Sequence, residues 1–192
     1  EWNEQLVKTF IRGPLTGPVS VPENEGDGLI MAMEAGAQLG NMQNAWWQQS
    51  VLEFKPQHRN AKPNYLLGSD ERARPGAILV NRAGKRFVNE AANYNAMGKA
   101  VVSFDAGTHS YANLPYWLII DQRYKDKYPT FTSPPGSPIP SYMMQAETLE
   151  ELAGMAGMKP PEIKVLGQAD IDLAVDQFRQ AARRAKLAGF DG

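Results

Sequence analysis

The stretch Pro75–Glu90, PGAILVNRAGKRFVNE, constrains the fold more than any other part of this chain. Ile78, Leu79 and Val80 make a short apolar run. Arg82-Ala83-Gly84-Lys85 supplies a turn, with Gly84 suited to a positive-φ position. Arg86–Asn89 then resumes an extended pattern. The pattern predicts a β-hairpin over 76–89. A second apolar run, Tyr116–Ile120, predicts a buried strand. The elements between these strands are helical or loop-like, without regular β-α-β alternation. The fold class expected is therefore α+β: a small, mostly antiparallel sheet flanked by helices, with an amphipathic helix at the C-terminal end.

Leu6, Val7, Phe10 and Ile11 fall at helical spacing, and Gly13-Pro14 ends that run. A second helix is expected over 28–39, with Asp27 as its N-cap and Gly40 as its stop. Aromatic and β-branched content predicts a strand over 45–55, and residues 56–75 read as loop. A short helix is expected over 93–104, a polar loop over 105–115, and a helical turn over 121–128 closed by Pro129. Residues 129–141 hold five prolines and are expected to wrap the surface in extended form. Thr148-Leu149-Glu150-Glu151 is a capping box ahead of a helix over 149–156. Residues 168–188 give the clearest helical pattern. Ile171, Val175, Phe178, Ala182 and Ala185 share one face, and Arg179, Arg183, Arg184 and Lys186 another.

Composition excludes several classes of function. Twenty basic and 21 acidic residues are well mixed, for a net charge of −1, so nucleic acid is not an expected partner. Without cysteine there is no disulfide, thiolate catalysis or Cys-ligated zinc. His58 and His109 stand in polar segments without a second ligand at metal spacing, so no metal site is expected. Apolar runs are only a few residues long, so no membrane span is expected. Glu1-Trp2-Asn3-Glu4 is neither a signal peptide nor an initiator Met start. A cytoplasmic setting and a piece of a longer sequence are the corresponding expectations.

Taken with its surroundings, the 75–90 segment resembles a family. Glu71-Arg72 lies upstream, Ala91-Ala92-Asn93-Tyr94-Asn95 downstream, and Tyr116-Trp117-Leu118-Ile119-Ile120-Asp121 further on. The set resembles the flavoproteins related to 3-ketosteroid dehydrogenase, within the fumarate reductase/succinate dehydrogenase flavoprotein class. Gly26-Asp27-Gly28, with the following LIMAMEAGAQLGNM, extends the resemblance. It runs to about residue 158. It implies FAD, and a bulky hydrophobic, steroid-like substrate. The Gly-x-Gly-x-x-Gly turn on which the family holds FAD does not occur in this sequence.

The resemblance also implies roles. Gly26, Asp27 and Gly28 would lie beside FAD; their plainer reading is a helix cap. Trp46 and Trp47 would wall the substrate pocket with Tyr94. Gln48 stands where fumarate reductases carry a substrate-binding His, and an amide cannot supply an imidazolium charge, which argues against a dicarboxylate substrate. Glu90 has no Arg shortly after it, so the proton relay of those enzymes is broken; a salt bridge or a helix cap is its expected role. Arg123 or Lys125 is the nearest cation to the place of their catalytic arginine. Tyr128 resembles the tyrosine that removes a substrate hydrogen in ketosteroid dehydrogenases, and its plainer reading is an exposed phenol.

Three readings follow. The chain is the substrate-side part of an FAD-dependent oxidoreductase, inactive alone, with a remnant of FAD-domain helices over 1–55, a substrate or cap-like domain over 56–158 and a helical appendage over 159–192. Alternatively it is a non-catalytic binding module for hydrophobic ligands, or a self-associating interaction protein. On every reading the chain is expected to hold FAD weakly and to form a homo-oligomer. Residues 168–192 also resemble a helix and turn of the old yellow enzyme barrels.

Overall fold

The structure, a computed structural model, describes residues 1–11, 13–15, 18, 20–51, 69–161 and 167–188. The chain divides into two compact units, 1–161 and 162–192.

In the first unit α1 spans Glu4–Phe10 and α2 Asp27–Glu34. The Asn3 side chain caps α1 by accepting from the Leu6 amide at 3.0 Å. Helix α2 differs from expectation at both ends. Asp27 is its first helical residue, and Gly26, left-handed with φ 97°, is the cap. Glycine is required there: a Cβ would come within 2.6 Å of Leu6 Cδ1, so α1 packs directly on the start of α2. The helix stops at Glu34 rather than near Gly40, because the Ala37 amide turns back to the Ala32 carbonyl at 2.9 Å. Over 45–51 the expected strand is reduced to a bridge residue at Ser50. Its residues 52–55 lie outside the described residues, as does 56–68 of the expected loop. Residues Ser69–Arg72, read as loop, form the short helix α3.

Strand β1, Ala77–Asn81, is followed by the predicted turn, with Gly84 at φ 71°. The Asn81 carboxamide oxygen organises that turn by accepting from the Ala83 and Lys85 amides at 3.0 and 3.1 Å. The second arm of the hairpin does not form. Pairing ends at an isolated Val80–Arg86 bridge. Beyond it the Leu79 amide, free for a returning arm, donates instead to the Glu90 carboxylate at 2.9 Å. The full-length partner of β1 is β4, Tyr116–Ile120, antiparallel with Leu79 opposite Leu118 and Val80 opposite Trp117.

Helix α4, Tyr94–Val101, lies between them in sequence, capped by the Asn93 side chain on the Ala96 amide at 2.8 Å. The expected 105–115 loop contains a two-residue ladder, β2 (Phe104–Asp105) on β3 (Ser110–Tyr111). Helix α5 spans Gln122–Lys127 behind an Asp121 cap, and α6 spans Leu149–Ala156 behind Thr148. Glu151 gives its amide to the Thr148 hydroxyl at 3.2 Å, and its carboxylate reaches the Glu147 amide, one residue earlier than a standard capping box predicts.

The two faces of the β1–β4 ribbon bury different partners. Leu79 and Met97 form one core, with Phe87, Val88, Tyr116 and Leu118 against it. Val80, Ala153 and Met158 form the other, with Ile78, Trp117 and Ile119. A two-stranded ribbon is marginal alone, and helices on both faces supply its burial. The observed class is thus mixed α and β with small antiparallel sheets. Residues 129–141 are not simply extended. Thr130 and Ser133 exchange backbone hydrogen bonds at 2.9 Å, and the buried Lys125 ammonium donates to the carbonyls of Pro134 and Ser137, each at 2.9 Å.

The second unit contains α7, Gln168–Leu187, in which no residue is buried. Among the described residues no helix is long and apolar enough to cross a membrane.

Candidate functional site

Three groups of expected site residues are separate clusters. The first is the Gly26-Asp27-Gly28 turn. Gly26 provides no side-chain cap, so no cap side chain fills the amides of the first turn of α2. The Asp27 carboxylate is exposed beside them, and a Cβ on Gly28 would meet open space. Free amide donors, an exposed carboxylate and room for close approach fit the hydroxyl and polar groups of a nucleotide cofactor. An open depression of about 400 Å³ lies nearby in sequence, lined by Thr9, Phe10 and residues 39–44.

The second cluster joins the Trp-Trp segment to α4. Trp47 sits on Gly98, where a Cβ would overlap the Trp47 Cβ and Cγ and stand 3.0 Å from its Cδ1. Two residues on, Gln49 is 4% exposed and donates through Nε2 to the Tyr94 carbonyl at 3.2 Å. Tyr94, the first residue of α4, is itself 42% exposed. The Trp47–Gln49 segment therefore meets α4 twice, through Trp47 on Gly98 and through Gln49 on the Tyr94 carbonyl. Trp46 is 86% exposed. The sequence signal for this contact was a glycine inside a helical pattern, which marks close approach by another chain segment. Gln49 gave no signal at all.

The third cluster surrounds Tyr128. Its ring packs edge-to-face on Tyr124 at 5.2 Å, with the Arg74 guanidinium 4.9 Å and the Lys127 ammonium 5.2 Å from its centroid. Tyr128 is half-buried, not the exposed phenol of the plainer reading. Tyr124 donates its hydroxyl to the Glu71 carbonyl, and burial raises that phenol's pKa. Arg123, one of the two cations considered at this position, is exposed, and Lys125 is occupied by the 134–137 turn.

Glu90 and Arg72 stitch the second cluster to the sheet. Glu90 accepts from the Leu79 amide and from Arg86, whose Nε lies 2.9 and 3.0 Å from its two oxygens. Burial pushes the Glu90 carboxyl up, but the hydrogen bonds from Arg86 and Leu79 outweigh it and hold the group below its ordinary value. Glu90 is thus a salt-bridge residue, while the cap of α4 is Asn93. Arg72, 1% exposed, donates to the carbonyls of Glu90 and Ala92, the latter at 2.8 Å. Burial lowers its pKa, and the neighbouring Tyr116 and Glu90 oppose that shift. His109 is exposed in the β2–β3 turn at φ 48°, and His58 lies outside the described residues. Among the described residues no three of His, Asp or Glu gather as a metal site.

The FAD binding domain family, FAD_binding_2, matches residues 5–187, past residue 158 where the family resemblance was expected to stop. A 4-oxocyclohexanecarboxylate 2-dehydrogenase of Sinomonas cyclohexanicum is 37% identical over 158 residues, covering 82% of this chain and 27% of that protein. A 3-oxosteroid 1-dehydrogenase of Mycobacterium tuberculosis is 38% identical over 176 residues, covering 85% and 29%. Among solved structures, 3-ketosteroid delta1-dehydrogenase from Sterolibacterium denitrificans, in complex with 1,4-androstadiene-3,17-dione, matches with TM-score 0.67 and 29% identity, covering 95% of this chain and 31% of that one. The chain spans less than a third of each of these relatives. The chain belongs to the FAD binding domain family as a flavoprotein of the 3-ketosteroid dehydrogenase-like kind.

Proposed function

We propose that this chain forms the substrate-side part of a flavin-dependent dehydrogenase that introduces a double bond beside a ring ketone. The observation that carries this reading is a regularity among relatives whose named substrates differ greatly in size. A 3-oxosteroid 1-dehydrogenase and a 4-oxocyclohexanecarboxylate 2-dehydrogenase both act, by their names, two bonds from a ring carbonyl. A ring ketone rather than a steroid nucleus is the shared element, so the substrate class proposed is a cyclic ketone with a hydrophobic body.

A carbonyl acidifies the hydrogen on the adjacent carbon. A protein base takes that proton, the β-carbon loses hydride, and the C=C bond forms from the electrons released. FAD, when bound, supplies the two-electron acceptor for that hydride. In this chain Gly26, Asp27 and Gly28 would hold a polar portion of the cofactor. Trp47 and Tyr94 would wall the ring system, with Trp46 on the open side. Two phenols can serve as base. Tyr128 is the one the resemblance indicates. Tyr94 begins α4, the helix on which Trp47 is seated, and a base must reach the substrate that Trp47 would wall. That shared helix favours Tyr94, while the Tyr128 ring is covered by the Arg74 guanidinium.

Ligand-induced stabilisation tests the reading directly, because a ligand bound only to the native state raises its melting temperature. The chain is titrated with 1,4-androstadiene-3,17-dione and with 4-oxocyclohexanecarboxylate, with and without FAD, and followed by Trp fluorescence and thermal melting. A saturable shift that Trp47→Phe weakens and Lys127→Gln leaves intact supports the site. No shift with either ketone, in the presence of FAD, removes it and leaves the self-associating interaction protein as the better reading.

A further inference from the structure

We infer that α7 is a homodimerisation helix that pairs antiparallel with α7 of a second copy of this chain, an interaction separate from the ketone site proposed above. The helix runs over 20 residues, Gln168–Leu187, and none of its residues is buried. Phe178 is 78% exposed, and Ile171 and Val175 are exposed with it. In proteins most helical stability comes from packing of an apolar face rather than from intrinsic propensity. Ile171, Val175, Phe178, Ala182 and Ala185 recur at alternating spacings of four and three residues, which is the seam of a coiled coil.

Charge selects the occupant of that seam. Every acidic residue of the helix, Asp170, Asp172 and Asp176, lies in its first half. Every cation, Arg179, Arg183, Arg184 and Lys186, lies in its second half. In a parallel pair, like halves would face each other. In an antiparallel pair, the acidic half of each helix meets the basic half of the other, and the macrodipoles also oppose. A register that sets Val175 against Phe178 of the second copy places Asp172 beside Arg179 of that copy, twice by two-fold symmetry. Such an arrangement is isologous and closed, so it stops at the dimer.

Sedimentation equilibrium of the full chain tests this. The wild type is expected to dimerise at tens of micromolar, and more weakly as salt rises from about 0.01 M to about 1 M, where the screening length falls from about 30 to about 3 Å. Asp172→Lys with Asp176→Lys leaves Asp170 as the one acidic residue of the helix, and Arg179→Glu with Arg183→Glu makes it largely acidic. Each variant alone is expected to dimerise at least tenfold more weakly, and an equimolar mixture to recover the wild-type affinity. Recovery in the mixture also establishes that both variants are folded. A monomeric wild type, a dimer indifferent to both variants, a mixture that fails to recover, or a dimer strengthened by salt overturns the inference.

Discussion

Trp47 occupies the space that a side chain at Gly98 would need, and this contact ties the Trp-Trp segment to α4. The overlap begins at the Trp47 Cβ, close to the backbone, so the indole cannot simply swing away. Gly98→Ala is therefore expected to destabilise the chain by about 1–3 kcal/mol through overpacking. That outweighs the gain of up to about 1 kcal/mol from better helix propensity. Urea unfolding measures the difference. An unchanged or raised midpoint would mean that Trp47 is not seated on α4.

Glu90 replaces a second hairpin arm by accepting the Leu79 amide with its carboxylate. Glu90→Ala strands that buried amide and is expected to cost about 1–3 kcal/mol. Glu90→Gln keeps an acceptor but removes the charge, so it should cost less.

The same carboxylate sets a pH dependence. Its folded pKa is depressed, so its contribution is present above the pKa of the unfolded chain and is lost as pH falls through the folded value. Wild type should exceed Glu90→Gln in stability at neutral pH, and the two should converge below the ordinary carboxylate range. Chemical unfolding at a series of acidic pH values checks this. A gap that stays constant would assign the effect to shape rather than charge.

Lys125 fastens the proline-rich turn through its ammonium, which also lies 3.2 Å from the Ser137 hydroxyl. Lys125→Met keeps the apolar stem and removes the donors. A loss of about 2 kcal/mol is expected, since hydrogen bonds to a charged group are worth more than neutral ones. Limited proteolysis should show new cleavage near Pro134–Ser137. Resistance equal to wild type would show that the prolines hold the turn without the lysine.

FAD should bind this chain weakly, with a dissociation constant above micromolar. One turn of free amides with Asp27 offers a few hydrogen bonds of about 1 kcal/mol each, against roughly 8 kcal/mol for micromolar affinity. Flavin fluorescence titration measures it, and Asp27→Ala should weaken it further. Stoichiometric flavin in the purified chain would contradict this expectation.

Local patterns were sufficient where a segment's own chemistry decides its shape. Asn93, Asp121 and Thr148 cap helices from the adjacent residue, and Gly84 bends a turn that its neighbours close. The strands β1 and β4 were legible for the same reason, as apolar β-rich runs. The tertiary structure decided which strand paired with which. Along the edge where a hairpin arm over 86–89 would pair, Glu90 takes the Leu79 amide instead, while the distant Tyr116–Ile120 pairs with β1 along its whole length and buries Leu118 and Trp117 against α4 and α6. Gly26 rather than Asp27 is the cap of α2, and Leu6, some twenty residues away, leaves room for no side chain at Gly26. Trp47 and the Gln49 beside it meet α4, the helix that Tyr94 begins, while Trp46 is exposed and Tyr128 packs on Tyr124. Sequence spacing carries no record of that division, because it follows from long-range packing rather than from any residue's intrinsic preference.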